Sequence, residues 1–414
     1  MELDKKRLAE QRKIVQKWVD NKGIGTIVGP TGFGKSMVGI ITVQSMNARH
    51  PDRNTIIIVP TDELKKQWNN HIKTYGLLKT SVVIVNTAIK KKLSCHLLIL
   101  DEIHRYAATT FQKVFSTIEY KFIQGLTATF EREDNKHYLI ENKCPVIYQM
   151  DVKEAKSKKY ISDFNIFNLN VPLTSEDKQF YDDITNKFNY FFSWFEHDFH
   201  RAKLCLNDKN YTSHYAAKRK TSFDDVRIKA INFFRVMGKR KQFLFGNDSK
   251  LAVVKQILDT YPVKAIVFSE TTSFADKITK VMGEKCVSLH TNISPKKREE
   301  ILQDYASIDS KIKILSTAKM FDEGIDLPDI ELAIVASGTS SKRQGIQRFG
   351  RAIRKKQGKT ALIVNLYMEG TQEQKWVEKR TSGLSPEWIE SVEDIEKGGV
   401  LNYDALKYNI SLFQ

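Results

Sequence analysis

The chain is poor in the residues that staple small folds. Its four cysteines, Cys95, Cys144, Cys205 and Cys286, lie far apart with no C-x-x-C pair. That argues against a zinc site or a disulfide framework and for buried, reduced thiols in a cytosolic setting. Long apolar runs are missing as well. None approaches the roughly 20 residues of a membrane span, and the start, MELDKKRLAEQRK, lacks the apolar stretch of a signal peptide. No membrane partner is therefore expected. The expected compartment is the cytoplasm, of a host cell if the source is viral, with the nucleus still open. Acidic residues are also short: 49 Asp and Glu face 66 Lys and Arg, a formal net charge of +17. Such an excess suits a polyanionic partner, because phosphate neutralisation dominates nucleic-acid affinity. The bland alternative is a lysine-rich surface without specificity. No short repeat and no low-complexity segment interrupts the chain.

What is present begins at Val28–Ser36, which reads VGPTGFGKS. Gly29, Gly34, Lys35 and Ser36 fit G-x-x-x-x-G-K-[ST], the phosphate-cradling P-loop. The loop residues Gly29, Pro30, Thr31, Gly32, Phe33 and Gly34 would wrap a nucleotide, and all but Pro30, which has no backbone N–H, could turn that group towards it. Lys35 would reach its β- and γ-phosphates, and the Ser36 hydroxyl would ligate Mg²⁺. The context fits too. Gly25–Val28 is a short apolar strand, and a helix starting at Met37 would turn its N-terminus to the anion.

At 414 residues the chain exceeds what one hydrophobic core usually holds, so two or three domains are expected. Residues 4–20 pattern as a basic amphipathic helix. TIIIVP, SVVIV and HLLIL (Thr55–Pro60, Ser81–Val85, His96–Leu100) are short, nearly all-apolar runs with helical stretches between them, such as Asp62–Tyr75. This is the pattern of βαβ units and a doubly wound parallel sheet. The P-loop, Pro60-Thr61, Asp101-Glu102 and Thr127 all follow such strands and so share one sheet edge, where ligands bind in these folds. From Val152 to Gly246 strand signals fade beyond FNIFNLNVPL. Thr174 or Ser175 caps a long helix ending in the aromatic run NYFFSWFEHDF. Between His200 and Phe245, twelve Lys/Arg stand against three Asp/Glu. The basic face reads as a nucleic-acid arm and the aromatics chiefly as a small helical core, with base stacking the sharper alternative. A second alternating block follows, through KAIVFSE, CVSLH, KIKILST, LAIVAS and TALIVNLY, without a P-loop of its own. In the tail, Ser385-Pro386 reads as the start of a helix ending near Gly398-Gly399, and a last helix is expected over Asn402–Asn409.

The organisation expected is therefore α/β: residues 1–151 and 247–370 as two doubly wound parallel-sheet domains, 152–246 as a basic helical insert, and 371–414 as a helical tail.

A P-loop alone says only that a nucleoside triphosphate binds, so its companions decide. LLILDEIH puts Asp101 and Glu102 at the end of an apolar strand, where Asp101 can hold Mg²⁺ and Glu102 can orient and deprotonate the attacking water. GLTATF ends another strand in small hydroxyl residues. QRFGRAIR spaces Arg351 and Arg354 three apart, on one side of a helix. The first reading of two such arginines is a solvated face, and the sharper one is a pair of fingers on a γ-phosphate.

In this order the motifs resemble the superfamily 2 helicases and translocases of the DExH group, over about residues 8–366. Gln11 is similar to the adenine-reading Q motif, Gly29–Ser36 to motif I, VPTDELKKQW (59–68) to motif Ia and the Thr87 region to motif Ic. Asp101–His104 resembles motif II, Thr127–Thr129 motif III and IVFSE (266–270) motif IV. STAKMFDEGIDLP (316–328), with Gly324 and Asp326, resembles motif V, and Gln347–Arg354 motif VI. The resemblance implies two RecA-like domains closing on ATP and Mg²⁺. Gly324, Asp326 and Gln347 would join the nucleotide site, with Arg351 and Arg354 reaching across from the second domain. It also implies backbone contacts to nucleic acid at Pro60, Thr61, Thr87, Ser269 and Thr317, to which the insert adds Lys218, Arg219 and Lys220. DEIH, GRAIR and DEGIDLPDIE look closest to the DNA-directed group of XPB, the type I and III restriction motors and the phage UvsW-type branch-migration helicases. Phe130 stands where that group usually has proline after TAT. The implied activity is ATP-driven remodelling of branched or double-stranded DNA in recombination, repair or replication. The alternatives are an RNA helicase and an adaptor that ATP merely switches. Compact size and Lys/Asn-rich character suit a phage or viral enzyme.

Overall fold

The computed structural model describes residues 2–131, 135–307, 309–318, 330–339 and 360–397. Two parallel sheets organise them. The first contains β1 (Ile24–Val28), β2 (Thr55–Val59), β3 (Thr80–Ile84), β4 (Leu93–Asp101), β5 (Ile118–Thr127) and β6 (Val146–Gln149) in the order β3-β2-β4-β5-β1-β6. The second contains β7 (Asp163–Asn170), β8 (Ala265–Ser269), β9 (Cys286–Leu289), β10 (Ile314–Ala318), β11 (Leu332–Val335), β12 (Thr360–Tyr367) and β13 (Glu387–Ile389), in the order β13-β7-β12-β11-β8-β10-β9. Every residue of β2, β8, β10 and β11 is buried, which is why these strands read as unbroken apolar runs rather than alternating ones.

Helices cover the first sheet. α1 (Glu2–Asp20) buries Ile14, Val15 and Trp18, and the Trp18 indole N–H donates to the Ile123 carbonyl of β5 at 2.9 Å. α2 (Lys35–Arg49) follows the P-loop. α3 (Asp62–Tyr75) starts at Thr61, whose hydroxyl accepts from Leu64 N, and carries Asp62 and Glu63 in its first turn. All four cysteines are buried and free, and burial pushes the Cys144 thiol up to about 11.

The structure departs from the sequence reading in two places. Asp163–Asn170, assigned above to the helical insert, is β7 and pairs along its full length with β12. Its last five residues are buried because strands β12 and β13 flank it on both sides. The helix expected from Ser385 is instead the strand β13, followed by a short helix at Asp394–Lys397. Ser385 has φ +53°, not the extended backbone of an N-cap, and β13 pairs in parallel with β7. The further helix expected at 402–409 lies outside the described residues.

Between β7 and β8 four helices form a body of their own: Ser175–Trp194, Phe199–Asn207, Lys209–Arg219 and Phe223–Gly246. The aromatic run packs its core. Phe192 stacks on Phe233 at 5.8 Å, and Phe195 and Tyr215 are buried beside them. Thr174 is the N-cap of the first helix, accepting from Asp177 N.

A fully buried ion pair holds the second sheet's periphery. Lys250 Nζ donates to Glu373 Oε1 and to the Leu244 carbonyl (2.7 Å), with Arg380 buried nearby. Removing one partner of such a pair strands a buried charge. Glu373→Ala is therefore expected to cost about 3–5 kcal/mol of stability. A denaturant midpoint equal to that of the parent protein would refute this.

Candidate nucleotide and magnesium site

Register brings the site together. Val28 of β1 pairs with Thr127 of β5, and Asp101 of β4 pairs with Leu126. The P-loop, the Asp101-Glu102 pair and Thr127-Thr129 therefore emerge side by side at one edge. Gly29 N donates to the Thr127 carbonyl at 3.0 Å, tying the loop to the end of β5.

Gly34 has φ +94° and ψ +43° directly before α2, a left-handed conformation that favours glycine. Lys35 Nζ donates to the carbonyls of Gly29 (2.9 Å) and Pro30 (3.4 Å), which holds the ammonium inside the loop. Burial lowers its pKa, and the charges of Glu102 and Asp101 oppose that shift. Gln11 is also committed to the loop, its Nε2 donating to Phe33 O (3.1 Å) and Gly34 O (3.3 Å). The Phe33 side chain does not face a ligand. It is fully buried against Tyr148 and Tyr160, with ring centroids at 6.3 and 5.8 Å, and the backbone N–H of Phe33 donates to the Pro30 carbonyl at 3.2 Å, so Phe33 anchors the loop.

Asp101 is buried at the end of β4. One carboxylate oxygen accepts from the Trp68 indole N–H at 2.8 Å and the other from Glu102 N at 3.0 Å. Burial raises its pKa, while the Trp68 hydrogen bond and the Lys35 charge pull it back. A buried carboxylate under this strain gains from a nearby cation. With the Ser36 hydroxyl at the start of α2, the donors are hard oxygens of the kind Mg²⁺ takes when phosphates and water complete its shell. The residues fit the ion. Bound there, Mg²⁺ would neutralise charge on the phosphates.

Glu102 sits at φ +50° and ψ +49°, left-handed for a non-glycine residue, a conformation that costs energy and clusters at functional sites. Its Oε2 lies 3.4 Å from His104 Nδ1, which is 2.8 Å from Thr127 Oγ1, and that hydroxyl donates to the Thr129 carbonyl at 2.8 Å. The two contacts made by His104 Nδ1 connect Glu102 to the end of β5.

The family described as the type III restriction enzyme res subunit matches residues 4–93 and 85–132, and the helicase conserved C-terminal domain matches residues 249–356. A DNA 3'-5' translocase XPB2 of Sulfurisphaera tokodaii is 32% identical over 396 residues, covering 89% of this chain and 83% of that protein. The chain belongs to the XPB-related superfamily 2 helicases. The zebrafish (Danio rerio) general transcription and DNA repair factor IIH helicase/translocase subunit XPB is 24% identical, over 86% of this chain and 44% of that protein. Across six such relatives named Rad25 or XPB, the chain spans 41–58% of their length. In fold, the helicase domain of Pyrococcus furiosus Hef aligns with a TM-score of 0.55 over 89% of this chain and 97% of that one, at 14% identity.

The other residues singled out in the sequence fall into four groups. Pro60, Thr61 and Thr87 follow strand ends of the first sheet, with Thr87 exposed and Thr61 engaged as a cap. Ser269 and Thr317 are buried, and the Ser269 hydroxyl donates to the Thr317 carbonyl at 2.9 Å. The Ser269 side chain thus ties the ends of β8 and β10 together, and the Thr317 side chain is buried instead of facing outward. Lys218, Arg219 and Lys220 are exposed, yet Lys218 pairs with Glu196 at 3.2 Å and the Arg219 guanidinium lies 4.8 Å from the Trp194 ring centroid. Gly324, Asp326, Gln347, Arg351 and Arg354 lie outside the described residues. Three residues that support the site from behind, Trp68, Tyr148 and Tyr160, escaped the sequence reading. Trp68 closes the motif Ia stretch but contacts Asp101, and Tyr160 lies far from the P-loop in sequence. A buried tryptophan needs a partner for its N–H, and that need was the one available signal.

Proposed function

We infer that the chain is an ATP-driven DNA helicase or double-strand translocase that remodels branched or annealed DNA. In this reading Lys35 binds the phosphates, Ser36 and Asp101 hold Mg²⁺, Glu102 activates water, and Gln11 reads adenine. The observation that carries it is the convergence of Lys35, Asp101 and Glu102 at one sheet edge, close enough for the two acids to act on the lysine's charge. The archaeal relative's name gives its direction as 3'-5', and on that likeness the same polarity is expected here. The test compares ATP hydrolysis with single strand, duplex, fork and four-way junction, each as DNA and as RNA. DNA is expected to stimulate, and branched DNA most. Stimulation by RNA alone would replace this reading with an RNA helicase. Turnover near zero with every polynucleotide would leave an ATP-switched adaptor.

The helical body supplies a second grip in this reading, through its basic surface. Changing Lys218, Arg219 and Lys220 together to alanine is expected to weaken DNA binding. Each lost phosphate contact should flatten the salt dependence by about 0.9 in log–log slope. Because Lys218 and Arg219 already have partners, the expected loss is less than three full contacts. Unchanged affinity and slope would leave the helical body with packing alone.

A further inference from the structure

One aromatic ring joins three parts of the first domain. Trp68 lies on α3, 1% exposed, seven residues and about 10 Å of helix beyond Thr61. Its indole N–H donates to Asp101 Oδ2 at 2.8 Å. The far edge of the ring rests on the P-loop helix α2, where a Cβ at Gly39 would come within 2.9 Å of Trp68 Cη2. Glycine at position 39 thus lets the ring sit between α2 and the end of β4. Because Asp101 Oδ1 is already engaged by Glu102 N, the indole fixes the second oxygen and with it the orientation of the carboxylate.

We propose that Trp68 is a positioning residue: it orients Asp101 towards a magnesium–nucleotide, and it links that carboxylate to the nucleic-acid-facing start of α3. The inference rests on reading Asp101 as the magnesium ligand. A displacement of α3 when a strand engages Pro60-Thr61 moves the indole, and the indole moves the carboxylate. Packing alone does not require this arrangement, since a backbone carbonyl would satisfy a buried indole equally well. Here the N–H is donated to a carboxylate read as a ligand of the cation.

The test uses the full chain and a fluorescent ADP analogue, with affinity measured with and without Mg²⁺. Groups that orient a metal ligand typically contribute 10–100-fold to metal affinity. Trp68→Phe, which keeps an aromatic ring and loses the N–H, is expected to lose about 10-fold or more of the Mg²⁺-dependent tightening with magnesium-free affinity unchanged. DNA stimulation of hydrolysis should fall in the same variant. Gly39→Ala displaces the ring without removing its N–H and is expected to lose several-fold of the tightening. It carries the test if Trp68→Phe does not fold. Parent-like tightening in the folded variants would overturn the role of Trp68 alone. A parent protein whose ADP affinity ignores Mg²⁺, or an Asp101→Asn variant with full tightening, would overturn the reading of Asp101 and the inference with it.

Discussion

Glu102→Gln is expected to bind ATP normally and to turn it over about 10²–10⁴-fold more slowly, the range a positioned general base contributes. The amide keeps the shape and the left-handed backbone that places the side chain beside His104, so a folding defect is not expected to obscure the result. What is lost is the ability to take a proton from water. Lys35→Ala removes a different element. Its ammonium is already held by the loop carbonyls, and phosphate oxygens, being charged, are stronger partners than carbonyls. Its loss should therefore impair nucleotide binding as well as turnover. Binding of a fluorescent ATP analogue, paired with single-turnover hydrolysis, separates the two. Normal hydrolysis in Glu102→Gln would remove that residue as the base, and normal hydrolysis in Lys35→Ala would remove the P-loop as the catalytic phosphate site.

The first sheet was legible because the P-loop and the Asp101-Glu102 pair each stand directly after a short, largely apolar run. VGPTGFGKS and LLILDEIH combine a buried strand and its chemistry in one local string, so register had only to set them side by side. The function of Phe33 was not legible, since a loop position that faces the ligand and one that anchors the loop are alike in sequence. Only its contacts with Tyr148 and Tyr160 distinguish them. β7 was missed as a member of the second sheet because its partner β12 follows nearly two hundred residues later, and periodicity cannot report on so distant a neighbour. Ser385-Pro386 misled for the opposite reason. The local capping signal is genuine, but Trp388 packs on Tyr367 at 5.0 Å and β13 pairs with β7, and tertiary pairing overrides a preference worth about 1 kcal/mol.

Arg351→Ala is expected to lower ATP turnover about 10³–10⁵-fold, the effect of losing a guanidinium that stabilises charge on the transferring phosphoryl group. Arg351 falls within the region matched by the helicase C-terminal family, so the proposal makes the second domain a contributor to chemistry on the P-loop of the first. The expected signature is specific. Since such a group acts mainly in the transition state, ATP affinity should change little while the hydrolysis rate collapses. Arg351→Lys should not rescue, because an ammonium cannot reproduce the planar two-pronged contact with phosphate. Arg354→Ala offers the comparison: an equal loss would indicate a shared clamp, and a small one would leave Arg351 as the finger. The double variant of Glu102→Gln with Arg351→Ala then tests whether base and finger act together. Groups that act as a unit are strongly non-additive, so a double variant little slower than the worse single one is expected. Near-normal turnover in Arg351→Ala would reject the finger role and leave the first domain's site without its proposed partner.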